Sequence, residues 1–162
     1  MITSTSTRVQ VVRHLWAKSV DRFVEFLFLP RFCKTFVQLQ QNLSLNSNDC
    51  ITIDTIQHEL LHALGFYHMH NHKDRDDFIE IRLENVNKSD WRKFQKSNSF
   101  TSSDFGTPYD FFSVMHYEPT ALSNNGQDTI VTKDPIYQEL IGKVHRISLG
   151  DVQRIKIMYE CR

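Results

Sequence analysis

The sequence predicts an α+β fold, and three observations carry that reading. Apolar or alternating runs in the first third read as strands, a central stretch repeats its apolar residues at helical spacing, and a capped segment near the end does so again. The 162 residues suit one principal domain, which we divide into an atypical N-terminal segment, 1–20, and the domain body, 21–162.

Residues 1–20 show no clear period, and Val9, Val11, Val12, Leu15 and Trp16 are expected to line a short helix. Phe23-Val24-Glu25-Phe26-Leu27-Phe28 predicts a strand buried on both faces and stopped by Pro30. Lys34 to Gln41 alternates loosely and predicts a second strand; Leu43 to Leu45 predicts a third, closed by a polar turn at Asn46 to Asp49. Thr52 to Tyr67 predicts a helix opened by a capping box of Asp54 and Gln57, with Ile56, Leu60, Ala63, Leu64 and Tyr67 as its buried stripe. Phe78 to Ile81 is strand-like, Asn87 to Lys96 is helical, and Ser97 to Thr107 and Leu122 to Asp134 are loops. Ser148 opens the last helix: Asp151 stands three residues on, and Ile147 with Val152 forms a hydrophobic staple. Leu149, Val152, Ile155 and Tyr159 are expected to face the core.

Composition narrows the function. Hydrophobic residues make up 40% and charged ones 23%, enough for a core. Lys+Arg and Asp+Glu balance at 19 each, so nothing points to nucleic acid or an anionic membrane. No run approaches the roughly 18 apolar residues of a membrane span. The opening Met1 to Arg8 is polar and rich in Ser and Thr, a composition not expected of a signal peptide. Three cysteines allow one disulfide with one thiol left over, and the residues alone leave the pairing open.

The chemistry is concentrated between His58 and His68, which read His-Glu-Leu-Leu-His-Ala-Leu-Gly-Phe-Tyr-His. His58 and His62, four residues apart, share one helix face and can reach one zinc at about 2.0–2.1 Å each. On a continuing helix His68 would rise about 9 Å past His62 and point roughly 120° away. The helix must therefore break, and Gly65 stands where the break is needed, since glycine takes the left-handed conformation without steric cost. Three protein ligands leave one position open for water, the catalytic arrangement. Glu59, directly after the first ligand, can take that water's proton and pass it to a leaving amine. His70 and His72 lack the third-ligand spacing and are expected to be solvated or to stand behind the ligands.

Tyr109 to Tyr117 reads Tyr-Asp-Phe-Phe-Ser-Val-Met-His-Tyr. Following such a zinc motif, Met115 fits a soft apolar base beneath the metal, a Met-turn. Tyr117 can turn its hydroxyl toward the metal or toward the oxyanion of the transition state.

The run from His58 to Asp76, with Gly65-Phe66 and Asp74-Arg75-Asp76, and the run Ser113-Val114-Met115-His116-Tyr117 together resemble the astacin family of the metzincin clan. Ile141-Gly142-Lys143 and Leu149 to Cys161 are similar to late segments of that family. The resemblance covers residues 21–162. It implies a secreted zinc endopeptidase of two lobes with a mixed sheet, an active-site helix and a C-terminal helix; a monomer is expected. It would hold one Zn²⁺ through His58, His62 and His68, use Glu59 as base and Tyr117 as a switchable ligand, and act on proteins or peptides. The same resemblance implies a Cys33–Cys50 disulfide, a substrate-pairing edge strand near Lys34 to Gln38, and glycosylation at the sequons Asn42-Leu43-Ser44 and Asn87-Lys88-Ser89. The chain departs from the family at Met69, where a Glu usually holds the mature N-terminus, and at His72, where an Arg is usual. No cysteine stands ready for Cys161, and the first strand and helix of the upper lobe look missing, as in a shortened form of a longer precursor. A non-catalytic secreted zinc-containing binding protein, or an inactive fragment of an astacin-like protease, is the alternative, motivated by those departures.

Overall fold

The helix that carries the motif, α1, spans Ile53–Ala63 and starts from Thr52 as N-cap. We describe it from a computed structural model covering residues 6–11, 41–46, 52–97 and 105–160. The capping box expected of Asp54 and Gln57 is not what opens α1. Thr52 Oγ1 bonds Thr55 Oγ1 at 2.8 Å, and Gln57 is buried, its Oε1 accepting from Ile147 N at 3.0 Å. The buried face is accordingly Gln57 and Leu61, with Ile56, Leu60 and Leu64 half-buried and Tyr67 exposed beyond the helix end.

Two antiparallel strand pairs accompany α1. β1 (Ser6–Val11) pairs with β2 (Gln41–Asn46), in register from Ser6↔Asn46 to Val11↔Gln41, and β2 lies beside α1. The helix expected within residues 1–20 is thus a strand over Ser6–Val11: Thr7, Val9 and Val11 alternate with polar residues, a period of two that favours pairing. Leu43 to Leu45 lies in a strand as expected. Phe23 to Phe28, Lys34 to Gln40, Cys33, Cys50 and Cys161 lie outside the described residues. β3 (Ile79–Ile81) pairs with β4 (Ile130–Thr132), so the stretch expected as a loop from Leu122 to Asp134 holds a strand. Asn87 to Lys96 becomes a 3-10 helix, Lys88–Phe94.

Two apolar clusters fix the site. One gathers Met69, Ile79, Val86, Phe94, Tyr109, Ile130 and Ile141. The other gathers Leu61, Phe66, Val114, Met115 and Ile155. Fully burying such side chains contributes roughly 1.5–3 kcal/mol each. The segment from Tyr109 to Met115 feeds both clusters and so runs between them. Gly142 (φ +69) lets its turn close on the backbone of Glu118, directly after Tyr117; a Cβ there would overlap the Glu118 amide.

The last helix, α2 (Leu149–Met158), opens with a capping box as the sequence predicts. Ser148 Oγ accepts from Asp151 N at 2.8 Å and Asp151 Oδ2 accepts from Ser148 N at 3.1 Å. Its inward face departs from expectation. Leu149 is 90% exposed, while Asp151, Arg154 and Ile155 are buried.

Candidate metal centre

α1 stops where the motif requires. Gly65 takes φ +94, its N–H bonds His62 O at 2.9 Å, and Phe66 N–H bonds Leu61 O at 3.0 Å. These are the two hydrogen bonds of a Schellman stop, and Phe66 packs with Leu61 in the apolar cluster that seals it. A Cβ on Gly65 would sit 3.4 Å from Met158 Cε as well as demanding the left-handed conformation. We expect Gly65→Ala to lower unfolding stability by about 1–2 kcal/mol, the left-handed penalty, and to weaken metal binding. Denaturant unfolding with and without zinc checks this, and an unchanged stability would contradict the stop's role.

The stop brings His68 back to its partners. His68 Nε2 lies 3.2 Å from His58 Nε2 and 3.1 Å from His62 Nε2, and one ligand atom from each residue lies within 4.8 Å of the others. His58 Nδ1–H donates to Val114 O and His62 Nδ1–H to Phe66 O, both at 2.8 Å. Those carbonyls place the proton on Nδ1 and leave lone pairs on both Nε2 atoms, directed at His68. One proton on His68 Nε2 can bridge to only one of them, whereas a cation satisfies all three. Ligands bound tetrahedrally at 2.0–2.1 Å stand about 3.3 Å apart, close to the observed spacing. The three imidazoles therefore fit zinc in number, donor type and separation.

The electrostatics keep His62 and His68 in the metal-binding, neutral form. Burial pushes His68 down to about 2, helped by the neighbouring His70, His62, His58 and His116. Burial also lowers His62, offset in part by the Phe66 carbonyl and by the charge of Glu59. Glu59 itself is half-exposed.

Met115 is 1% exposed and packs among Leu61, Phe66, Val114 and Ile155. Its carbonyl accepts from Met69 N at 2.9 Å, tying Met115 to the residue after His68. The Tyr117 ring lies 4.4 Å from His68, half-buried, and its hydroxyl bonds no described residue. Burial raises its pKa, so it stays a protonated donor near neutrality. His116 is buried, donating from Nδ1 to Tyr117 O at 2.7 Å and accepting at Nε2 from Tyr109 Oη at 2.7 Å. Burial lowers it to about 4, which keeps this relay neutral.

Of the two places expected for His70 and His72, solvent and a position behind the ligands, solvent does not hold: they are 0% and 8% exposed, and His70 stacks on His68. Two further contributors were not visible in the sequence. Asp151 accepts from Ser113 Oγ at 2.7 Å and from Val114 N at 3.0 Å, and so holds the peptide whose carbonyl orients His58. Arg154 pairs with Asp151 and reaches Met69 Sδ at 3.5 Å. The only local signal for that pair is its i,i+3 spacing.

Known proteins resemble this chain in sequence and fold. The family model described as Astacin, a peptidase family, matches residues 17–160. Low choriolytic enzyme of Oryzias latipes is 41% identical over 136 residues, 82% of this chain and 49% of that protein. Zinc metalloproteinase nas-14 of Caenorhabditis elegans is 39% identical over 121 residues, 75% of this chain and 24% of that protein. The structure of high choriolytic enzyme 1, a hatching enzyme zinc-protease from Oryzias latipes, superposes with a TM-score of 0.68 at 36% identity, covering 77% of this chain and 60% of that one. The chain thus spans less than half the length of these curated relatives. With a matching family model over nearly its whole length and the histidine triad that the motif requires, this chain belongs to the astacin family of zinc metalloproteinases.

Proposed function

We propose that this chain is a zinc-dependent endopeptidase hydrolysing peptide bonds of proteins, with Glu59 as general base. The observation that carries the reading is the convergence of three Nε2 atoms on one point, with Glu59 next to the first of them. Zinc, when bound, supplies a Lewis acid that polarises the scissile carbonyl and acidifies water to a pKa of about 7. His58, His62 and His68 hold it, each as a neutral imidazole. Glu59 accepts the water's proton and returns it to the leaving amine. Tyr117 donates its O–H to the oxyanion of the transition state. Met115 gives the triad a close-packed apolar floor.

The test is cleavage of an unfolded protein by the purified chain, before chelation, after chelation, and after zinc is returned. Cleavage should vanish and reappear. Unfolding stability should fall on chelation, by about 2.7 kcal/mol relative to zinc at a hundredfold excess over its Kd. A chain that rebinds zinc and cleaves nothing would favour the non-catalytic binding protein.

We also propose that the protein works as a monomer outside the cell, with Cys33 and Cys50 paired. Support for the secretory route comes from the sequon at Asn87, where Asn87, Lys88 and Ser89 are all exposed and Asn87 Nδ2 donates to no described residue. Expressed through a eukaryotic secretory pathway, the chain should carry a glycan that a glycosidase removes and that Asn87→Gln abolishes. An unmodified Asn87 under those conditions would count against that route.

A further inference from the structure

His70 lies two residues past the third histidine and is completely buried. Its Nε2–H donates to Lys93 O at 3.1 Å, while Nδ1 meets no donor. Half of its hydrogen-bonding capacity is therefore unused, and ring packing must account for its place. The ring stacks on His68, with centroids 5.4 Å apart and planes 19° from parallel. It also lies against Tyr117, at 4.1 Å and 34°. Tyr117 in turn packs on His68 at 4.4 Å, so the three rings pack pairwise against one another. Phe94 backs His70 from behind at 5.4 Å.

The backbone at His70 is anchored independently of α1. Arg75 Nη1 donates to His70 O at 2.9 Å and also to Phe94 O. Asn71 Nδ2 donates to Lys93 O at 2.8 Å and to Gln95 O at 2.7 Å. The ring is thus a wall mounted on a short 3-10 turn, Met69–Asn71, with the third ligand and the tyrosine resting on it.

We propose that His70 is a positioning residue: its ring sets the orientation of His68 and of Tyr117 relative to each other. The effect on hydrolysis rests on the endopeptidase reading; the effect on metal binding does not. His70→Phe is the informative variant. It keeps an aromatic plane and drops Nε2–H, and Lys93 O still has Asn71 Nδ2 as donor. His70→Ala removes the wall, and His70→Leu restores volume without a plane.

The experiment measures zinc affinity by chelator competition, and kcat and KM on a peptide, for these variants alone and combined with Tyr117→Phe. His70→Ala should bind zinc about 10–100-fold more weakly, the range for residues that support ligands. It should also lower kcat by about tenfold or more at nearly constant KM, as expected when a reacting group is misplaced. His70→Phe should restore both, and His70→Leu should not. In the Tyr117→Phe background, His70→Ala should cost much less in kcat than it does alone, because the two act as a unit. Fully additive effects, or zinc affinity unchanged across all three His70 variants, would overturn the proposal. If His70→Ala does not fold, the comparison of His70→Leu with His70→Phe decides. If the wild-type chain cleaves nothing, the hydrolysis reading fails by itself, and the zinc affinities alone uphold or overturn the wall.

Discussion

Glu59→Gln is expected to reduce cleavage of an unfolded protein substrate by about 10²–10⁴-fold, the contribution of a positioned general base, while zinc stays bound. The substitution is nearly isosteric on α1, where Glu59 is half-exposed, so neither the helix nor its packing has reason to change. The ligands are untouched: His58 keeps its bond to Val114 O and His62 its bond to Phe66 O. What is lost is a carboxylate that can accept a proton, since an amide cannot. His62→Ala is the contrasting control, because it should lose metal and cleavage together. Metal analysis beside the rate assay separates the two cases. A Glu59→Gln chain that holds zinc and cleaves at the wild-type rate would remove Glu59 from the role of base.

The sequence declared the metal triad more openly than it declared the framework around it. The helix break at Gly65 was legible because two fixed spacings, four and six residues, cannot both be met on one helix. The cap at Ser148 was legible because it depends on residues three apart. The same spacing misled at Asp54 and Gln57, where Thr52 is the N-cap and Gln57 is buried; the other failures were inferences from hydropathy. Leu149 is apolar and almost fully exposed, whereas Gln57, His70, Asp151 and Arg154 are polar and buried. Each of these four is inside because of a partner distant in sequence or a ring it stacks against: Ile147 for Gln57, Tyr117 for His70, Val114 for Asp151, and Met69 for Arg154. Periodicity along one segment carries no information about such partners. The strand Ile130–Thr132 escapes a sequence reading for a different reason. It is three residues long, and pairing with Ile79–Ile81 defines it better than its own pattern does. His70 carries the functional consequence: a histidine two residues from a ligand reads equally as solvated or as standing behind the ligands until the fold stacks it on His68.

Asp151→Ala should produce the largest loss of stability of any single substitution considered, about 3–5 kcal/mol, the cost of breaking a buried ion pair from one side. Four donors converge on this carboxylate: Ser113 Oγ, Val114 N, Ser148 N and Arg154 Nη2. Without it Arg154 remains 4% exposed, with Asp110 at 3.8 Å as its remaining carboxylate, and the Val114 amide loses its acceptor. At about 2–4 °C per kcal/mol for a domain of this size, the unfolding midpoint should drop by roughly 6–20 °C. The metal site should suffer as well, because the Val114 peptide that Asp151 holds by its N–H is the one whose carbonyl fixes the His58 tautomer. Zinc affinity is expected to fall about tenfold or more, as for other groups that orient ligands. Asp151→Ala with Arg154→Met is the decisive companion, since replacing both partners removes the stranded charge. The double variant should regain much of the stability but not the zinc affinity, since the Val114 amide still lacks its acceptor. Recovery of both would reduce Asp151 to a charge partner, whereas stable folding of the double variant with weakened zinc binding would identify α2 as the brace of the metal centre.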